Sequence, residues 1–173
     1  MDNSEKNVCI VGASGLLGSN VLKEALAKGY KVNGTVRDVN APDKATFLNT
    51  LPNADQNLRL FESEMADTES FDNALSNVDC VFITCLIPVY KGPTGKPARE
   101  MDDEQGYEEI IMPTVNGCLN ILKSTARQGV KNVVICSSTS STNPVPPVPI
   151  KNELDHWSDE NEQCRAKKIH ISN

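Results

Sequence analysis

The sequence has no excess of positive charge: 17 lysines and arginines stand against 23 aspartates and glutamates in 173 residues, a formal charge of −6. Nucleic acid or an anionic membrane as main partner demands clustered positive charge, so neither is expected. No apolar run approaches the ~18 residues of a membrane span. The start, Met1-Asp2-Asn3-Ser4-Glu5-Lys6, has no charged-then-apolar leader, so no secretory signal is visible and a cytoplasmic chain is expected. There is no C-x-x-C pair, and the two histidines, His156 and His170, have no ligand-like spacing to any of the six cysteines. No metal site is therefore expected. Cys9, Cys80, Cys85 and Cys136 lie in or beside apolar, β-branched runs, where a reduced cysteine behaves as a small hydrophobe.

What is present suits a single soluble globular domain: 39% apolar and 23% charged residues. Short β-branched runs alternate with helical stretches. Strands are expected at Asn7–Val11, Lys31–Val36, Leu58–Phe61, Val78–Cys85 and Lys131–Ser137. Helices are expected at Leu16–Lys28, Asp43–Leu51, Ser70–Leu75 and from about Asp103 to Gln128, with a Pro/Gly-rich loop over Pro88–Pro97. This order predicts an α/β fold with a doubly wound parallel sheet, incomplete after its fifth strand. Residues 1–138 read as a dinucleotide-binding domain. Residues 139–173 read as a Ser/Pro-rich loop and polar tail with at most one weak helix.

Gly12-Ala13-Ser14-Gly15-Leu16-Leu17-Gly18 follows an apolar strand and opens a helix. In that context the backbone N–H groups of the loop face an anion. Gly12 permits the tight turn, Gly15 the approach of a pyrophosphate, and Gly18 close packing of helix on strand. Ser14, Leu16 and Leu17 complete the expected cradle. After the second strand stand Arg37, Asp38 and Lys44. An acid there binds the ribose hydroxyls of NAD, whereas a base takes the 2′-phosphate of NADP. Arg37 can grip a phosphate bidentately and Lys44 adds a point charge, so NADP is the expected cofactor. Asp38 argues the other way unless it pairs with Arg37.

Asn7–Gly18, Thr35–Asp38, Val81–Pro88, Pro113–Leu122 and Val133–Ser138 together resemble the extended short-chain dehydrogenases/reductases. The likeness is nearest to the plant branch of cinnamoyl-CoA and dihydroflavonol reductases. It spans nearly the whole chain but only about the N-terminal half of such an enzyme. The resemblance implies an NADP-dependent reductase acting on a carbonyl or thioester of a phenylpropanoid- or flavonoid-type substrate. It implies that Gly12, Gly15, Gly18, Arg37 and Lys44 hold the phosphates, that Glu64 and Met65 stand near the adenine, and that Thr84 and Cys85 lie against the ribose on the nicotinamide side. Ser138 falls at the catalytic serine.

Such chemistry also needs a Tyr-x-x-x-Lys on one helix face, the lysine lowering the tyrosine pKa and holding the ribose. Tyr30, Tyr90 and Tyr107 are followed four positions on by Gly34, Thr94 and Ile111, so the pair is missing. Trp157–Glu160 and Cys164–Lys168 resemble the segment ahead of that tyrosine, which is expected at about Ile171, and the chain reads as C-terminally truncated. His156 and His170 read as solvated side chains rather than substitute acids. An inactive reductase half is therefore expected. The alternatives are a non-catalytic NADP(H)-binding module that self-associates or pairs with a full-length relative, and a fragment without independent function.

Overall fold

The computed structural model describes residues 3–42, 44–85, 91–142, 144, 146–152 and 154–158. Five parallel strands form one sheet in the order β3-β2-β1-β4-β5: β1 Asn7–Val11, β2 Lys31–Val36, β3 Leu58–Glu62, β4 Cys80–Ile83 and β5 Asn132–Ile135. The helices are α1 Leu16–Ala27, α2 Ala54–Asn57, α3 Asp72–Leu75, α4 Asp103–Gly106 and α5 Met112–Arg127. Two compact units result. The first comprises Met1–Ile87 with Met112–Cys136 and holds the whole sheet; the second comprises Pro88–Ile111 with Ser137–Asn173.

Side chains of a strand alternate between sheet faces, and β1 shows why this sequence buries both. Val8 and Ile10 join Leu22 and Leu26 of α1, Val32, Val36 and Leu48 in one core layer. Cys9 and Val11 join Phe71, Leu75, Val81, Ile83 and Ile121 of α5 in the other. A near-continuous apolar run is what a parallel strand covered on both faces requires. On the second face Asp72 ties α3 to α5: its carboxylate accepts from Ser124 Oγ and from Arg127 Nη2, the latter at 2.7 Å. These bonds hold the Asp72 carboxyl below its ordinary range, Arg127 contributing most and Ser124 next.

Several elements are shorter than the sequence predicts. The β4 ladder stops at Cys80 and Ile83 because its partner β1 is only five residues long; Asp79 N and Thr84 N still donate to Asn7 O and Val11 O at its ends. β5 is trimmed in turn to the length of β4, with Cys136 N donating to Ile83 O. The helix expected from Asp43, itself outside the described residues, is a 3₁₀ turn over Thr46–Thr50. There the Thr46 and Thr50 hydroxyls bond back to Pro42 O and Phe47 O, competing with helical bonding. Leu51, ahead of Pro52, is extended, as a residue before proline prefers. The helix expected over Asp103–Gln128 is divided into α4, a π turn at Tyr107–Ile111, and α5. Pro113 has no N–H to give and its ring crowds the carbonyl four residues back, which a widened turn relieves.

Among the described residues β5 pairs only with β4 and forms a sheet edge. Val133, Val134 and Ile135 are 38%, 48% and 44% exposed, so apolar side chains on both faces of the edge strand meet solvent. Cys136, expected to be buried, is exposed for the same reason. Between α1 and strands β1 and β4, reaching Asn132 at the start of β5, lies a groove of about 570 Å³ lined by Val8, Val21, Ala25, Cys80 and Phe82. No residue of the glycine loop lines that groove.

In the second unit, Lys91 pairs with Pro97 and Gly92 N donates to Lys96 O. Asp102 caps α4 through Gln105 N. Lys96 Nζ donates to Gln105 Oε1, and Gln105 Nε2 to Glu109 Oε1. A 3₁₀ turn covers Thr139–Thr142.

Candidate functional site

The site is assembled at the C-terminal ends of β1, β2, β3 and β4, all within the first unit. In a doubly wound sheet that edge, next to the point where strand order reverses, is where a ligand fits. Here the reversal lies at β1, flanked by β2 and β4.

Gly12 turns the chain out of β1 with φ of +83°, a conformation costly for any residue with a Cβ. A Cβ there would also lie 2.5 Å from Cys85 Cβ. Gly18 is buried on the other side of the turn; a Cβ would overlap Gly12 O and come within 2.8 Å of Thr84 Oγ1. Gly15 is the N-cap of α1, extended and exposed, with no crowding closer than 3.4 Å. The loop is braced from β2, where Gly12 N–H donates to Thr35 Oγ1 at 3.2 Å and Ala13 N–H to Thr35 O at 2.9 Å. It is braced from β4 as well: the buried Thr84 hydroxyl donates to Val11 O at 2.7 Å.

This leaves the start of α1 open. The cap is a glycine without a side chain, and the first turn contains no acid. Leu16, Leu17 and Gly18 open the helix, so their N–H groups have no acceptor four residues back. Three such donors and the positive end of a 12-residue helix favour an anion. The cradle thus fits a pyrophosphate: Gly12 and Gly18 allow a turn tighter than a Cβ at either would permit, and its donors are unclaimed by any cap.

Arg37 and Lys44 follow β2 and are both exposed. Among the described residues no carboxylate lies within ion-pair distance of either. Asp38 does not pair with Arg37, so its pull toward NAD is not cancelled by an ion pair; its Oδ1 accepts instead from Asn40 N at 2.8 Å within the local turn. Both cations therefore remain available to a phosphate.

Glu64 and Met65 follow β3. Glu64 is exposed, and its Oε1 accepts from Met65 N at 3.1 Å; Met65 is half-buried against the second core layer. Thr84 and Cys85 follow β4. The Thr84 hydroxyl is committed to the underside of the loop. Cys85 packs its Cβ on Gly12, and burial pushes its thiol up to about 11, which disfavours the thiolate form.

Ser138 lies in the second unit and is exposed. Its carbonyl accepts from Ser141 N at 3.0 Å and from Ser141 Oγ at 2.6 Å, anchoring the 3₁₀ turn. His156 Nδ1 accepts from Asn152 N in a local turn. Cys164–Lys168, His170 and Ile171 lie outside the described residues. Sequence reasoning overlooked Thr35 as a brace of the loop. A β-branched hydroxyl residue two positions ahead of Arg37 in an apolar strand was the available signal.

The profile of a family described as NAD(P)H-binding matches residues 12–169. Tetraketide alpha-pyrone reductase 1 of Arabidopsis thaliana is 39% identical over 142 residues, 82% of this chain and 40% of that protein. The bifunctional dihydroflavonol 4-reductase/flavanone 4-reductase of Malus domestica is 33% identical over 170 residues, 98% of this chain and 45% of that protein. Among solved structures, vestitone reductase from alfalfa superposes with a TM-score of 0.66 at 27% identity, covering 95% of this chain and 46% of that one. The chain thus spans less than half the length of these relatives.

Proposed function

Since the chain belongs to the NAD(P)H-binding family, in the plant reductase branch of the extended short-chain dehydrogenases/reductases, we propose that its glycine loop and the end of β2 hold NADP(H) in preference to NAD(H). The observation that carries this reading is the pair of exposed cations, Arg37 and Lys44, beside a helix N-terminus left without an acidic cap. Backbone donors of Leu16, Leu17 and Gly18 take the pyrophosphate. Arg37 grips the 2′-phosphate bidentately, and Lys44 adds charge without fixed geometry. Met65 and Glu64 line the adenine side, and Cys85 closes the wall behind Gly12. NADPH, when bound, supplies a hydride.

In the protein at its relatives' full length, this is the cofactor half of a reductase acting on a carbonyl or thioester of a phenylpropanoid- or flavonoid-type substrate. The names of the similar proteins, dihydroflavonol and tetraketide α-pyrone reductases among them, support that class. Ser138 is its carbonyl-binding hydroxyl. The 173 residues themselves contain no Tyr-x-x-x-Lys, and loss of a positioned proton donor alone costs ~10²–10⁴-fold. They therefore bind cofactor without turning over substrate. A second reading, a non-catalytic NADP(H)-binding module or a partner of a full-length relative, is supported by the exposed Val133, Val134 and Ile135 on the β5 edge.

Calorimetric titration tests the cofactor. NADPH is expected to bind more tightly than NADH by about 1–3 kcal/mol, the range for a charge-assisted phosphate contact. Arg37→Ala is expected to erase most of that preference and leave NADH binding nearly unchanged. Equal affinity of the unmodified chain for both dinucleotides overturns the reading. Substrate-dependent NADPH oxidation at ~1 s⁻¹ or faster with hydroxycinnamoyl-CoA thioesters or dihydroflavonols, abolished by Ser138→Ala, overturns the inactivity.

A further inference from the structure

Met65 is a methionine, unbranched and adaptable, a side chain that by itself makes a poorly defined wall. In this structure its position is imposed from behind by α5. Gly117 of α5 faces it directly: a Cβ at that position would overlap Met65 Cε and lie 3.1 Å from Met65 Cβ. Asn120 stands three residues on, on the same helix face, and its Nδ2 donates to Met65 O at 2.9 Å. The Met65 N–H is taken by Glu64 Oε1. Both ends of the residue's backbone are therefore tied, and its side chain lies in the space that Gly117 leaves. The Cys85 Sγ completes the seat, 3.9 Å from Met65 Sδ.

Neither Gly117 nor Asn120 belongs to the glycine loop or to the ends of the strands, and neither is needed to close a strand ladder. Gly117 is buried in the middle of a 16-residue helix, where glycine costs stability relative to alanine. The contact with Met65 is what a larger residue there would disturb.

We propose that Gly117 and Asn120 are positioning residues for the cofactor site, holding Met65 in the one placement that leaves room for an adenine at the end of β3. The proposal rests on the NADP(H) reading above. On this proposal, adding a methyl at position 117 pushes the Met65 thioether away from α5 and toward the adenine. Removing the Asn120 amide frees the Met65 carbonyl and lets the residue drift without adding bulk.

The test uses the 173-residue protein and 2′,5′-ADP, a probe that carries the adenine and 2′-phosphate but no nicotinamide. Gly117→Ala is expected to weaken 2′,5′-ADP binding fivefold or more, and Asn120→Ala to weaken it in the same direction. In a Met65→Ala background the side chain that would be displaced is gone. There Gly117→Ala is expected to change the affinity by less than twofold, a dependence that general damage to α5 would not show. An unchanged affinity in the folded Gly117→Ala protein overturns the proposal, as does an equal loss in both backgrounds. If Gly117→Ala does not fold, Asn120→Ala decides by the same comparison with and without Met65→Ala. Failure of the unmodified protein to bind NADPH or 2′,5′-ADP removes the cofactor reading and this proposal together. Binding that is indifferent to positions 117 and 120 removes this proposal alone.

Discussion

Replacing Gly12, Gly15 and Gly18 by alanine, one at a time, separates the stability of the loop from its affinity for cofactor. Gly12→Ala forces a side chain into φ of +83°, a left-handed conformation costing about 1–2 kcal/mol. It also drives a methyl to 2.5 Å from Cys85 Cβ, an overpacking in a well-filled region that costs about 1–3 kcal/mol. The expected destabilisation is about 2–5 kcal/mol, a melting temperature lower by about 4–20 °C at about 2–4 °C per kcal/mol. Gly15→Ala meets nothing closer than Gly12 O at 3.4 Å and keeps an ordinary extended backbone. It loses only the preference for glycine over alanine at an N-cap, about 1 kcal/mol. In the proposed binding mode its methyl faces the pyrophosphate, so NADPH affinity is expected to fall about tenfold or more, ~1.4 kcal/mol. Gly18→Ala overlaps the Gly12 carbonyl and is expected to lose both stability and affinity, since the peptide that must move belongs to the cradle. Thermal unfolding without cofactor and calorimetric titration with NADPH read the two effects independently. Destabilisation by Gly15→Ala as large as that by Gly12→Ala would refute the assignment of distinct roles.

Two further expectations concern the frame around the site. The Asp72 carboxyl is held low chiefly by the Arg127 hydrogen bond and then by Ser124. A carboxylate with a lowered folded-state pKa adds stability that is fully present above its unfolded value and is lost as pH falls through the folded one. Asp72→Asn should therefore flatten the acid limb of the stability profile below about pH 4, where the unmodified chain loses stability; an unchanged acid limb in denaturant melts would count against the clamp. Val134 is 48% exposed on the edge strand, and Val134→Lys, a charge of the kind that guards sheet edges, is expected to reduce self-association in sedimentation velocity. Identical sedimentation of parent and variant would show that the β5 edge does not drive association.

β1, α1 and β2 were legible in the sequence because local signals agreed there. Apolar runs of strand length were bounded by Gly12 and Gly29, and Leu22 and Leu26 repeated at helical spacing. Ladder lengths were not legible, because a strand ends where its neighbour ends: β4 is limited by β1 and β5 by β4. The π turn ahead of Pro113 was marked by the proline but not by any rule for how the preceding turn would adapt. Arg37 and Lys44 could be read as exposed cations after β2, whereas the diversion of Asp38 to Asn40 N is a matter of turn geometry. Thr84 shows the limit most clearly. Its place within the apolar run of the fourth strand was evident, yet the commitment of its hydroxyl to Val11 O depends on a contact across 73 residues of sequence. The seat of Met65 is of the same kind, a through-space fit between α5 and the end of β3 that no local pattern encodes.

The sheet order also sets a timetable for synthesis. β1 is made first and becomes the central strand, with β2 on one side and β4 on the other. Asn7 and its partner Asp79 are separated by 72 residues, which a ribosome covers in about 4–14 s at about 5–20 residues per second. During that interval β2 can already pair with β1, while the opposite edge of β1 and the side chains of Cys9 and Val11 wait for α3 and β4. Messenger RNA recoded with slow codons between β2 and β4 should prolong that wait and lower the soluble yield of an unchanged polypeptide. Recoding beyond β5 should leave the yield as it was.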